Sequence, residues 1–135
     1  MGPTIATVNI TASNISQYFT VSNGSYYFAG NGSTFTSNNK GVNSTTATTT
    51  LTAKYDMDIS FSYSYGGESN YDKFTLVVNN TTIVNAASGT NTSSNYSGTL
   101  KAGNQISFTF SKDSSQHSYQ DSGTFSNMTI TGLFG

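Results

Sequence analysis

Met57-Asp58-Ile59-Ser60-Phe61-Ser62-Tyr63-Ser64-Tyr65 alternates apolar and polar residues without a break. Successive side chains on a strand point to opposite faces, so this stretch predicts a strand with one face buried and one in water. The same period recurs on both sides of it. Ile106, Phe108 and Phe110 alternate with Ser107, Thr109 and Ser111. Phe74, Leu76 and Val78 do likewise, although Val77 makes the second face partly apolar. Ala47, Thr49, Leu51 and Ala53 predict a Thr-rich strand, Val8 and Ile10 the first strand, and Met128 and Ile130 the last. No segment carries the 3.6-residue apolar stripe of a helix.

Turn chemistry separates these runs. Asn23-Gly24, between Phe19-Thr20-Val21 and Tyr26-Tyr27-Phe28, predicts a two-residue hairpin. Asn79-Asn80, between Val77-Val78 and Ile83-Val84, predicts a second. Gly30-Asn31-Gly32, Ser88-Gly89 and Ala102-Gly103-Asn104 are further breaks. Eight to ten short strands with a turn about every ten residues describe an antiparallel β-sandwich or barrel. The 135 residues form a single domain, 1–135, whose first and last strands are expected to pair.

Charged residues make up 8% of the chain, against roughly 25% in ordinary soluble domains. Ser, Thr and Asn take their place. Disordered chains combine high net charge with few aromatics; here the net charge is −1 and aromatics reach 13%. There is no basic patch for nucleic acid, and no apolar run approaches the roughly 18 residues of a membrane span. With no cysteine, neither disulfides nor thiolate metal sites are available. Met1-Gly2-Pro3-Thr4-Ile5-Ala6 has neither the basic stretch nor the apolar segment of an export signal, which favours synthesis in a cytoplasm. Asn-x-Ser/Thr occurs at Asn9, Asn14, Asn23, Asn31, Asn43, Asn79, Asn80, Asn91, Asn95 and Asn127; turn and strand chemistry accounts for these unless the chain enters a glycosylating route.

Of the six acidic residues, four sit in two short signatures. One is Gly66-Gly67-Glu68-Ser69-Asn70-Tyr71-Asp72-Lys73-Phe74, and the other is Phe110-Ser111-Lys112-Asp113-Ser114-Ser115 followed by Asp121. Together with Ser88-Gly89 and Leu100-Lys101-Ala102-Gly103 between them, these resemble a jelly-roll module recurrent in surface and phage proteins of Gram-positive bacteria. That module's pattern runs Ser-Ser-Glu-x-Asn-Tyr-Asp-x-Leu, Ser-Gly, Leu-x-x-Gly, then aromatic-x-Lys-Asp-x-Ser and a later Asp. Gly41-Val42-Asn43-Ser44 with Leu51 is similar to the module's first strand. The resemblance spans residues 40–131 and extends distantly to CUB domains. This chain differs in Gly66-Gly67 for Ser-Ser, in Gln120 for the Gly before the last Asp, and in having no Trp. The resemblance implies an antiparallel jelly-roll β-sandwich whose two acidic loops meet at one end.

Two arrangements of those loops are open. Glu68, Asp72, Asp113 and Asp121 could hold calcium, which takes six to eight oxygen ligands. Alternatively, Lys112 or Lys73 pairs with Glu68 or Asp72, and no metal is needed. A glycosidase-like carboxylate pair lacks a cleft in so small a sandwich, and His117, the only histidine, has no Gly-x-Ser-x-Gly partner and reads as a solvent-exposed loop residue. Tyr71 is read as packing within its motif, whereas Tyr96 and Tyr119, in polar loops, are candidate sugar-binding residues. The expectation is therefore a non-enzymatic virion protein, a phage head decoration, fibre or tail subunit, that binds capsid or tail proteins and forms a homo-oligomer, a trimer above other forms. The alternative is a carbohydrate- or cell-surface-binding module of an extracellular or surface protein, with a surface glycan as its partner.

Overall fold

A computed structural model describes residues 4–114 and 118–134. Eleven strands and one helical turn follow in the order β1 (Ile5–Asn9), α1 (Ile15–Tyr18), β2 (Phe19–Asn23), β3 (Phe28–Asn31), β4 (Thr34–Ser37), β5 (Thr46–Ala53), β6 (Met57–Gly67), β7 (Lys73–Val78), β8 (Thr81–Ala87), β9 (Gly89–Leu100), β10 (Gln105–Ser111) and β11 (Ser122–Leu133). They form two antiparallel sheets facing each other, a jelly-roll β-sandwich. One sheet runs β3-β4-β11-β6-β9, with β1 also on β11; the other runs β2-β5-β10-β7-β8. β1 and β11 pair from Ile5 opposite Leu133 to Asn9 opposite Thr129, so the first and last strands do meet. No helix among the described residues is long and apolar enough to cross a membrane.

The period-two strands turn their apolar sets inward. Met57, Ile59, Phe61 and Tyr63 of β6 face Ile106, Phe108 and Phe110 of β10, and all are buried. The two sheets meet in aromatic stacks. Phe108 of one sheet lies parallel to Phe125 of the other, ring centres 4.1 Å apart, and Phe35 stacks on the far side of Phe125 at 4.6 Å.

Two expectations are corrected here. Asn23-Gly24 is not a hairpin. β2 pairs with β5, and β3 pairs with β4 in the opposite sheet. A two-residue I′ turn needs positive φ at both central residues, and neither Asn23 nor Gly24 has it. Instead the Gly24 N–H donates to Thr48 O at 2.9 Å, so the chain runs on along the edge of β5 as it crosses between sheets. Asn79 and Asn80, with φ of 46° and 64°, do form such a turn and join β7 to β8. The strand count is eleven rather than eight to ten, largely because β9 was not legible: its Ser/Thr/Asn sequence is solvated on both faces along most of its length, yet it pairs with β6 from Gly89 to Leu100.

Candidate functional site

One end of the sandwich is built by three loops. The first follows the end of β6. Glu68 O accepts the N–H groups of Tyr71 and Asp72 at 3.1 and 3.0 Å, closing a tight turn. Asn70 sits in it at φ 70°, its N–H donating to Ser88 Oγ at 2.8 Å. The turn folds Asp72 back over the strand end, where a Cβ on Gly67 would lie 2.7 Å from the Cβ of Asp72. Glycine is therefore required at 67 for Asp72 to be fully buried.

The second loop leaves β10. Lys112 is buried, its N–H held by Thr45 O at 2.8 Å, and its ammonium lies 3.5 Å from Asp72 Oδ2. The ammonium also pairs directly with Asp121 Oδ1. The side chains of Lys112, Asp72 and Asp121 are 0%, 0% and 2% exposed. Asp72 is fixed further by the N–H groups of Glu68 and Asp113, each at 3.2 Å. Asp121 stands at φ 51° immediately before β11.

The third loop, residues 38–45, was not read as part of the site. The Gly41 N–H donates to Asp121 Oδ2 at 2.8 Å. Asn39 is fully buried, and its Nδ2 donates to Thr45 O and Phe110 O at 3.2 and 3.0 Å. Gly41-Val42-Asn43-Ser44 is thus a turn ahead of β5 and not a strand, with Gly41 at φ 72° and Ser44 at φ 56°. The signal that could have found it is Asn38-Asn39-Lys40-Gly41, a turn composition beside the acidic motifs.

The four carboxylates named from sequence do converge here, but around a lysine. Among the described residues no group of three or more His, Asp or Glu side chains is arranged to hold a metal ion. The residues present do not fit calcium. Lys112 already brings a positive charge between Asp72 and Asp121, and both carboxylates also accept backbone N–H groups, from Gly41 on Asp121 and from Glu68 and Asp113 on Asp72. Lys73, the other candidate cation, is exposed. Outside the buried trio, Glu68 and Asp113 are half-buried. Glu68 Oε1 is shielded from solvent and has no hydrogen-bond partner among the described residues. Burial, then the neighbouring Asp113 and Asp72 carboxyls, raise its pKa above the ordinary 4.5, with Lys112 pulling it down.

The tyrosines change places relative to the sequence reading. Tyr96 is not in a loop. It lies on β9, half-buried, its ring 5.4 Å from Phe61 at the margin of the core. Tyr71, read as packing, is 58% exposed, and Tyr119 is 54% exposed; they are the two most exposed aromatic residues described. Tyr71 directly precedes Asp72 and Tyr119 stands two residues before Asp121, so both flank carboxylates that meet at one ammonium. The next residue, Gln120, is anchored by its N–H to Asn91 Oδ1 at 2.8 Å. Ser115 and His117 lie outside the described residues.

No protein-family model and no curated protein sequence matches the chain. Among solved structures, the secreted serine protease VesC from Vibrio cholerae superposes with a TM-score of 0.62 at 12% identity, over 93% of this chain and 28% of that one. The likeness is one of fold, and this chain spans little more than a quarter of that protease chain. A carbohydrate-binding module, CBM35 from Cellvibrio japonicus Abf62, matches over 94% of each chain at 12% identity with a TM-score of 0.35. The enzymatically active domain of tailspike protein 4 of bacteriophage CBA120 matches over 96% of this chain and 19% of that one, at 12% identity and a TM-score of 0.34. Superpositions that loose carry no argument about this chain.

Proposed function

We propose that this chain is a non-catalytic carbohydrate-binding module acting at a cell surface or outside the cell. It takes a sugar against Tyr71 and Tyr119. The observation that carries this reading is the exposure of those two rings at the one end of the sandwich locked by buried ion pairs. A tyrosine offers a flat apolar face with a polar tip, suited to the C–H face and hydroxyls of a pyranose. Ser69 and Asn70 precede Tyr71, and Gln120, held by Asn91, follows Tyr119, so uncharged hydrogen-bonding groups flank both rings along the chain. Because the backbone beneath is pinned by Asp72, Lys112 and Asp121, little loop ordering opposes binding. A glycan array tests it. Tyr71→Ala and Tyr119→Ala should each weaken binding tenfold or more, or about 1.4 kcal/mol, while thermal stability changes little. A blank array for the folded parent protein would sink the reading.

A virion subunit, assembling as a homotrimer or with capsid or tail proteins, is favoured by a different observation. Ile5 and Leu133 face each other on the β1–β11 edge and are both exposed, beside a concavity of about 480 Å³ lined by Tyr55, Met57, Asp58 and Thr131. Exposed strand edges invite pairing. Light scattering coupled to size exclusion decides it: a strict monomer at high concentration removes the homo-oligomer, and failure to co-sediment with source particles removes the virion role.

A further inference from the structure

The chain has no cysteine, yet it places a primary amine and a carboxyl in direct contact, both buried, next to the ends of strands in two different sheets. We propose that Lys112 and Asp121 condense to an amide, an internal isopeptide bond, with Asp72 passing the protons. The proposal is independent of whether the module binds sugar.

The geometry supplies each part such a reaction needs. Lys112 Nζ contacts Asp121 Oδ1 directly and lies 3.5 Å from Asp72 Oδ2, so nucleophile, electrophile and base share one small volume. All three side chains are 2% exposed or less, so bulk water neither solvates the ammonium nor competes as a nucleophile. Asp72 cannot swing away, because the Glu68 and Asp113 N–H groups hold both its oxygens. The Gly41 N–H donates to Asp121 Oδ2 at 2.8 Å and remains on that oxygen as it gains charge, as an oxyanion donor does.

The steps balance without any co-reactant. The Lys112 ammonium gives one proton to the Asp72 carboxylate and becomes a neutral amine. Its lone pair attacks Asp121 Cγ and the C–N bond forms. The Cγ–Oδ1 bond then breaks as Oδ1 takes a second proton from the former amine and the stored proton from Asp72, and leaves as water. An ammonium and a carboxylate are replaced by one amide and one water, and Asp72 is again ionised. Nothing is oxidised or reduced. Condensation removes the desolvation penalty of the Lys112–Asp121 ion pair, and the Asp72 carboxylate that remains keeps the Glu68 and Asp113 N–H groups as its partners. The bond would close a ring over residues 112–121 and tie β10 in one sheet to β11 in the other. That restrains the unfolded chain as a disulfide would.

Intact mass spectrometry of the denatured full chain tests it. The parent protein should be lighter than its sequence mass by one water, and Lys112→Met and Asp121→Ala should match their sequence masses. Chymotrypsin cuts after Tyr119, between the two bonded residues. In the parent, the peptides carrying Lys112 and Asp121 should stay joined after that cut, which separates an isopeptide from dehydration elsewhere. Asp72→Asn, which keeps both bonded residues, should be unlinked or link at least tenfold more slowly. A parent chain at full sequence mass, or chymotryptic peptides that come apart, overturns the proposal; an Asp72→Asn chain that links at the parental rate overturns the role given to Asp72.

Discussion

The two ends of the sandwich seal the same core by opposite means. At one end Lys112, Asp72 and Asp121 form a dry charged cluster. At the other, Phe134 packs edge to face on both Tyr18 and Tyr55, its ring centre 5.0 Å from Tyr18 and 5.4 Å from Tyr55. There the Lys54 ammonium stays near the surface and donates to Ser16 O at 2.7 Å. Ring packing tolerates small shifts, since apolar burial is non-directional and the edge-to-face preference adds only about 0.5–1.5 kcal/mol per pair. A buried ammonium between two carboxylates has one satisfactory arrangement, and every alternative leaves a charge unpaired. The charged end is therefore the more rigid support for loops, and it is the end that displays Tyr71 and Tyr119. This asymmetry is why the proposed sugar site is placed there.

The largest effect should come from breaking the cluster. Whether Lys112 is ion-paired or linked to Asp121, Lys112→Met leaves Asp72 and Asp121 buried against each other with neither cation nor cross-link, and stability should fall by about 3–5 kcal/mol. Urea denaturation at neutral pH measures it. A loss below about 1 kcal/mol would mean that water reaches the trio, and the contrast between the two ends would collapse.

A smaller loss is expected at the aromatic end. Phe134 is only partly buried, and Phe134→Ala removes two edge-to-face contacts. The cost should be about 1–2 kcal/mol, with no change in glycan binding. Should Phe134→Ala cost more than Lys112→Met, the core would be held chiefly from the wrong end for the argument above.

The difference between the ends also marks what could be read from the chain. Strands β6, β7 and β10 were legible because one face of each is apolar and the period is two. β9 was not, since Thr92, Ser93, Ser94 and Asn95 are exposed whichever way they point; what makes it a strand is its partner β6, a long-range fact. Asn23-Gly24 carries a strong local hairpin signal, but Phe19 and Phe28 are both buried from opposite sheets, and tertiary burial overrides the turn preference. The charged end was legible as a cluster, because a chain this poor in charge concentrates its acids in two motifs. Which lysine enters it was not, since Lys73 and Lys112 stand equally close to an acid in sequence. β-strand alternation separates them: Lys73 opens β7 one residue out of phase with buried Phe74, whereas Lys112 continues the inward phase of Ile106, Phe108 and Phe110. The same count, carried one residue further, would have found Lys112.

The smallest effect belongs to Glu68, at the rim of the cluster, and it bears on calcium as well. Its carboxyl titrates above the ordinary 4.5 in the folded chain, through burial first and then Asp113 and Asp72. Between 4.5 and that raised value the folded state binds more protons at this site than the unfolded state, so stability contributed here is present at low pH and lost as pH rises through the window. Glu68→Gln stays neutral throughout. The variant's melting temperature relative to the parent should therefore climb as pH rises above 4.5 and level off once Glu68 is ionised in the folded parent. A difference that stays flat with pH would show that Glu68 meets the same environment folded and unfolded. Calcium sharpens the same measurement. With Lys112 inside the cluster, parental melting curves in excess calcium and in chelator should superpose. A calcium-induced rise that disappears in Glu68→Gln would instead mean that Glu68 and Asp113 bind the ion at the rim, outside a lysine that stays where it is.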